Sequence, residues 1–280
     1  MVIFKEAAAL SDYLGLRKKE GHSTGFVPTM GALHQGHISL IEMSRQDHDL
    51  TVCSIFINPT QFNNQEDFKH YPVTIEKDIA LLEGSGCNVL FLPSVMEIYP
   101  EGYQKKYYEL GPIENILEGA YRPGHFQGVC QVVHRLLDII QPGNLYLGQK
   151  DFQQCMVIKK LLSLLNKEDE VNLHIAPTLR EKDGLAMSSR NLRLDKEERS
   201  RATAIYRELE NIRKELHHQS LDDLKQNARK VLEQEGFRVD YIEIANSHDL
   251  LPVEKISPSM VALAAATLGN VRLIDNLVIN

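Results

Sequence analysis

The sequence predicts an α/β protein: a Rossmann-like parallel sheet domain followed by a smaller α+β domain. Runs rich in β-branched and aromatic residues alternate with stretches of helical period through the first two-thirds of the 280 residues. The connections between them are short, which favours parallel strands wrapped by helices. After about residue 180 the pattern changes to charged helical stretches and then three strand-like runs. These features divide the chain into domains of residues 1–178 and 179–280.

The strand-like runs of the first part are STGFVPTM (23–30), LTVCSIFIN (50–58), NVLFLPS (88–94), NLYLGQK (144–150) and VNLHIAPT (171–178). Helical patterns lie between them at 36–47, 74–85, 128–141 and 151–167. In GVCQVVHRLLDII the apolar residues Val129, Val132, Val133, Leu136, Leu137 and Ile140 recur at helical spacing. In the second part, LDKEERSRATAIYRELENIRKEL reads as one amphipathic surface helix and LDDLKQNARKVLEQEGF as another. VDYIEIANS, MVALAAATLG and VRLIDNLVI read as strands, with Gly269-Asn270 a good hairpin turn. The polar segment EKDGLAMSSRN at the join is a hinge or a site loop.

Composition narrows the function. Hydrophobic residues make up 43%, enough for a sizeable core, and the formal net charge of -7 argues against a nucleic-acid-gripping protein. It leaves room for a small anionic substrate held by a few local cations. The four cysteines are far apart with mostly apolar neighbours, which points to buried reduced thiols in a cytoplasmic protein. No apolar run approaches the ~20 residues needed to cross a bilayer, and Lys5 and Glu6 interrupt any signal-peptide core.

The segment FVPTMGALHQGHISL (26–40) carries the strongest chemical signal. His34 and His37 could chelate a metal, but no H-E-x-x-H pattern or third ligand accompanies them. They could serve a serine nucleophile, but the G-x-S-x-G context is missing, or they could simply mark a helix start. A nucleotide site fits the surroundings better. The loop lies at the carboxyl end of a strand, where α/β folds bind ligands, and helix-initial N–H groups favour phosphates.

HQGH resembles the H-x-G-H signature of the nucleotidyl-transferring superfamily that includes class I aminoacyl-tRNA synthetases. Further segments agree in order along the whole chain: FINPTQF (56–62), YRPGHFQGV (121–129), LGQKDFQQ (147–154), DGLAMSSRN (183–191) and VRLIDN (271–276). Together they closely resemble the pantoate–β-alanine ligase (pantothenate synthetase) family. The resemblance implies ATP-dependent joining of pantoate to β-alanine through a pantoyl adenylate, with AMP and pyrophosphate released. It also implies Mg²⁺ and a homodimer, and neither nucleic acid nor membrane as partner. Another H-x-G-H nucleotidyltransferase, acting on a phosphate-bearing small molecule, is the alternative.

The resemblance carries roles onto residues. Met30, Gly31, Ala32, Leu33, His34, Gln35, Gly36 and His37 correspond to the ATP loop; Gly148, Gln149, Lys150 and Asp151 to a nucleotide segment, with Asp151 accepting from ribose. Met187, Ser188, Ser189 and Arg190 resemble a mobile loop that closes on the phosphates, and Leu179 meets adenine through its backbone. Catalysis falls to His34, His37, Lys150 and Arg190. Gln61 and Gln154, supported by Asn58, Val132 and Val133, hold pantoate and β-alanine, since a carboxamide offers both a donor and an acceptor. Asp78 is the one candidate Mg²⁺ ligand. Leu179, Val73, Lys77 and Gln149 depart from the family pattern, and residues 63–77 resemble its gate.

Taken singly, several of these have plainer readings. Asp151 suits a helix N-cap, Gln153 and Gln154 a solvated helix face, Arg190 a surface charge, and Asn58-Pro59 a strand stop. GSGCNV (84–89) precedes a strand, so it is no dinucleotide fingerprint, and His217-His218 read as solvent-facing.

Overall fold

A computed structural model describes residues 1–63 and 68–280. Strand β1 (Val2–Phe4) and helix α1 (Ala7–Lys19) open the chain. Neither is among the expected elements. β1 is too short to show a period, and α1 buries only Leu10 and Leu14, its other apolar residues being spread around the helix without a marked face. Then follow β2 (Thr24–Thr29), α2 (Gln35–Asp47), β3 (Leu50–Ile55), α3 (Ile75–Gly84), β4 (Val89–Phe91) and the single turn α4 (Val95–Ile98). The short α5 (Glu118–Tyr121) leads to α6 (His125–Ile140), β5 (Asn144–Gly148), α7 (Phe152–Leu164) and β6 (Asn172–Ala176).

The six strands form one parallel sheet in the order β1-β4-β3-β2-β5-β6. Helices cover both faces, which is why every residue of β3 is buried and its sequence shows no alternation. α6 is buried on nearly every side. Leu137, Leu136 and Ile140 are at most 3% exposed, and each such side chain contributes roughly 1.5–3 kcal/mol of transfer free energy.

The topology opens a crevice between β2 and β5. From β2 the chain passes to β3 on one side, while β5 pairs with β2 on the other. The β2–β5 pairing extends only from Gly25 to Phe26, whereas β2–β3 pairing continues to Thr29. Pro28, which has no N–H to donate, sits beyond the point where β2 and β5 part. The loops after β2 and β5 therefore meet at the carboxyl ends of two diverging strands, where open α/β sheets bind ligands.

The second part contains α8 (Lys196–Arg201), α9 (Ala204–Glu215), α10 (Leu221–Gln234) and an antiparallel sheet β7 (Arg238–Asn246), β8 (Met260–Leu268), β9 (Val271–Val278). The single helix expected over LDKEERSRATAIYRELENIRKEL is two. They part at Ala202 and Thr203, where the Thr203 hydroxyl bonds back to the Ser200 carbonyl, a local bond that competes with the helix ladder. Gly269, at φ +55°, occupies the first central position of the two-residue β8–β9 turn, as a type II′ hairpin requires.

β8 is buried almost throughout because it serves two cores. Val261 and Leu263 pack against the core of the parallel sheet, while Ala262, Ala264, Ala266 and Leu268 pack among α9 and α10 residues. An ion pair reinforces this junction. Arg272 on β9 makes two 2.7 Å hydrogen bonds to Glu118 on α5 and a third to Asp240, and Tyr241 donates to Glu118 at 3.0 Å. Burial pushes the Glu118 carboxyl up, but the Arg272 hydrogen bonds and charge outweigh it and hold it below the usual range. No helix among the described residues is long and apolar enough to cross a membrane.

Candidate active site

The loop after β2 is shaped by backbone strain and by one carboxylate. Gly31 has φ +83° and Ala32 φ +50°, a left-handed turn that costs a non-glycine residue energy unless its surroundings hold it. Asp78 on α3 does so. Its Oδ2 accepts the Ala32 N–H and its Oδ1 the Leu33 N–H, both at 2.9 Å, and Thr74 donates to Oδ1 at 3.0 Å. Asp78 is 1% exposed. Asp78, the expected Mg²⁺ ligand, thus has its carboxylate enclosed and bonded to the loop, and it does not line the cavity described below.

The loop ends in His34 at the N-cap of α2, three residues before His37. His34 Nδ1 accepts from the Gly36 N–H at 3.2 Å, and His37 Nδ1 accepts from the His34 N–H at 3.3 Å. The two imidazoles thus form a reciprocal capping box, with ring centroids 4.1 Å apart. Because each Nδ1 accepts, each neutral ring carries its proton on Nε2. Burial, and then the Lys150 charge, lowers His34 to a pKa of about 4; burial, and then His34, lowers His37 to about 3. At neutral pH the site therefore offers two uncharged Nε2–H donors. Gly36 is required here: a Cβ would stand 2.9 Å from the His34 ring.

Across the crevice, the segment after β5 presents Lys150 and Asp151. Asp151 occupies the N-cap position of α7 but makes no capping hydrogen bond, so the plain N-cap reading fails. Its carboxylate lies 3.7 Å from the Lys150 ammonium. Burial pushes Asp151 up, but Lys150, Arg190 and Arg122 together hold it below the usual carboxylate range. This segment is fastened from the second part of the chain. Asn276 Nδ2 donates to the Gln149 and Lys150 carbonyls at 2.9 and 2.8 Å. Its neighbour Asp275 receives Arg180 bidentately at 2.6 and 3.0 Å.

The adjacent glutamines differ sharply. Gln153 bonds the Ile113 and Ile116 carbonyls and the Glu118 N–H, which makes it structural. Gln154 lines the cavity and has no hydrogen-bond partner among the described residues. Gln61 lines it too, with its amide bonded to Asn58 at 3.1 Å and to Met30 Sδ at 3.1 Å. Asn58 lines the same cavity beside Gln61. It is 1% exposed, and its amide is filled by Gln61, the Gly128 carbonyl, Thr60 and Tyr99. A Cβ on Gly128 would overlap the Thr60 carbonyl, so glycine lets α6 approach this turn.

One cavity brings together Met30, His34, Gly36, His37, Asn58, Gln61, Gly148, Lys150, Asp151, Gln154, Leu179, Met187, Ser188, Ser189 and Arg190, with Val132 and Val133 on its apolar wall. Gly31, Ala32, Leu33, Gln35 and Gln149 do not line it. The first three frame the loop from behind, and Gln149 turns to Asn276. Ser188 caps the turn that presents Arg190, its hydroxyl accepting the Arg190 N–H at 3.3 Å. Met187 donates its N–H to the Leu179 carbonyl at 3.0 Å. Of the expected gate, residues 64–67 lie outside the described residues.

Two site residues had no role in the sequence reading, although YRPGHFQGV contains both. Arg122 reaches the cavity, and burial followed by the Arg190 charge lowers it to about 10, so it remains a cation. His125 is 5% exposed and lines the same wall. Its pKa is lowered to about 4, by burial and then by Arg122. The arrangement therefore sets three cations, Lys150, Arg122 and Arg190, around two neutral imidazole donors. Polyanion neutralisation beside a polar-walled apolar pocket is its natural chemistry.

A stability prediction follows from these three histidines. Their folded-state pKa values lie below the ordinary value of 6.5, so between about pH 6.5 and 4 the unfolded chain binds more protons than the folded one. Their contribution is fully present above pH 6.5 and is lost as the pH falls through that window. His37→Gln should reduce proton uptake on unfolding at pH 5 by about one, read from the pH slope of urea unfolding free energies. An unaltered slope would contradict the assignment.

The chain matches known proteins over almost its whole length. A family model described as pantoate-beta-alanine ligase matches residues 2–278. Pantothenate synthetase of Cytophaga hutchinsonii is 44% identical over 284 residues, covering 100% of this chain and 99% of that one. The Fervidobacterium nodosum protein of the same name is 42% identical over 263 residues, 93% of each chain. The crystal structure of the Thermus thermophilus pantothenate synthetase superposes with a TM-score of 0.92 at 39% identity, covering 99% of both chains. That of the Francisella tularensis pantoate-beta-alanine ligase, complexed with beta-gamma ATP and beta-alanine, gives 0.80 at 37% identity, covering 99% of this chain and 97% of that one. With this match over the whole sheet, the crevice and the closing strands, the chain belongs to the pantoate–β-alanine ligase family.

Proposed function

We propose that this crevice condenses pantoate with β-alanine at the expense of ATP, forming pantoyl adenylate and then pantothenate. The observation that carries the reading is the pairing of an anion-neutralising wall with a carboxamide-bearing apolar one. The pantoate carboxylate is already ionised at neutral pH, so attack on the α-phosphate needs no base. It needs charge neutralised and reactants held in line. His34 and His37 donate through Nε2 to phosphate oxygens, Lys150 and Arg190 supply positive charge, and Asp151 accepts from ribose hydroxyls. Gln61 and Gln154 bind pantoate hydroxyls and carboxylate, while Val132 and Val133 receive its methyl groups.

Mg²⁺ enters this reading on the ATP phosphates, a mode that asks few ligands of the protein, and Asp78 is not one of them. Residues 1–178 carry the nucleotide and pantoate, and 179–280 close over them, in a cytoplasmic homodimer. Given ATP, Mg²⁺, pantoate and β-alanine, the protein should release AMP and pyrophosphate only when pantoate is present. AMP formation without pantoate, or none from a folded sample, would refute the reading.

A further inference from the structure

The three site histidines differ in where their protons sit. His34 and His37 accept backbone N–H groups at Nδ1 and so present Nε2–H donors. His125 is the reverse. Its Nδ1 lies 2.8 Å from the Gln61 backbone carbonyl, and a carbonyl oxygen only accepts, so Nδ1 carries the proton. Nε2 of His125 is then a bare lone pair. It has no hydrogen-bond partner among the described residues and is not sealed from the cavity that His125 lines. An imidazole kept only to hold the Gln61 turn would need no accessible second nitrogen in the crevice.

We infer that His125 is the general base of the second half-reaction, taking a proton from the β-alanine nitrogen as it attacks the pantoyl adenylate. This rests on the ligase reading above. At neutral pH the amine is an ammonium, with an acidity near that of lysine (pKa ~10.4), and it must lose two protons to become an amide nitrogen. One leaves to water as the amine forms. The C–N bond then forms at the acyl carbon, the second proton passes from nitrogen to His125 Nε2, and the C–O bond breaks with its electron pair to the AMP phosphate. His125 later returns its proton to water.

The charged groups facing His125 are Arg122, Glu118 and Asp151. With burial, Arg122 keeps the ring neutral and ready in the empty site, while bound AMP phosphate and the carboxylates raise its basicity during reaction. Arg122 also supplies the cation that the β-alanine carboxylate needs, three residues before the base. Held there by its carboxylate, the zwitterion would present its nitrogen to Nε2, since Arg122 and His125 line the same cavity.

His125→Asn tests this, because its side-chain amide keeps a donor near the Nδ1 position and removes the Nε2 acceptor. Pantoate-dependent ATP–pyrophosphate exchange reads the first half-reaction, and single-turnover aminolysis of preformed pantoyl adenylate reads the second. The ratio of aminolysis to exchange should fall about 100-fold, the scale of general base catalysis. Hydroxylamine, a weakly basic nucleophile whose adduct at the acyl carbon carries a far more acidic N–H and loses it to water without help, should recover most of that ratio. Loss of the ratio with β-alanine but not with hydroxylamine supports the base. A ratio held within threefold, or an equal loss with both nucleophiles, overturns it. His125→Gln repeats the measurement; if both variants also lose exchange, His125 serves the fold and the inference fails. Absence of pantoate-dependent exchange in the unaltered protein would refute the ligase reading instead.

Discussion

His37→Ala should slow pantoate-dependent pyrophosphate exchange by about 10³-fold, while pantoate binding measured at equilibrium stays within about threefold. The size is that of removing one preorganised donor to developing charge, roughly 3–4 kcal/mol. It applies here because His37 is neutral, with its proton fixed on Nε2 by the His34 N–H at its other nitrogen. The side chain is therefore a dipole aimed in advance, with no charge to be stripped of water when ATP arrives. The substitution also removes one half of the reciprocal cap on α2, costing about 1 kcal/mol of stability. His37→Gln separates the two contributions, since its amide can serve as a donor without reproducing the ring. Rapid-quench exchange kinetics alongside calorimetric pantoate binding give the answer. Equal losses in both would remove His37 from the transition state.

Asp78→Asn should destabilise the protein by about 3 kcal/mol or more. Two enclosed N–H donors, at Ala32 and Leu33, lose a charged acceptor, and each buried group left unsatisfied costs about 1–3 kcal/mol. The variant's amide NH₂ would turn a donor toward one of those donors. The loop strained at Ala32 then loses what holds it, so KM for ATP should rise together with the loss of stability. The Mg²⁺ concentration for half-maximal activity should not move. Urea unfolding and a Mg²⁺ titration of the residual activity check both statements. A shifted Mg²⁺ requirement with unchanged stability would return Asp78 to the metal.

How far the sequence alone reached depended on the length of the signal. The parallel strands were legible because five buried runs recur between helices of clear period, and the hairpin because Gly269-Asn270 is a turn pair. β1 and α1 were not legible, the one too short to carry a period and the other with its apolar residues spread around the helix. A hydroxyl that captures a carbonyl one turn back, as Thr203 does, leaves no trace in an amphipathic pattern. The site was legible as a set of motifs, but tasks within a motif were not. Gln153 and Gln154 are identical in sequence, and only the carbonyls of Ile113 and Ile116 show which one is spent. Asn58 and Asp78 came with the family resemblance, and no sequence pattern showed that each would also spend its side chain on neighbouring loop groups. Arg122 and His125 lay in the quoted YRPGHFQGV with no spacing rule to reveal them.

The clasp of Asn276 on the Gln149 and Lys150 carbonyls has a consequence for the order in which the protein is made. Residues 126 apart must meet before the nucleotide segment is fixed. On the ribosome, the parallel sheet emerges long before β9, so a nascent chain holds all three site histidines and Lys150 yet lacks the strand that fastens the Lys150 segment. The last strand to be made is thus the one that fastens the nucleotide segment, and a chain cut short before residue 276 would leave the Gln149 and Lys150 carbonyls without their clasp.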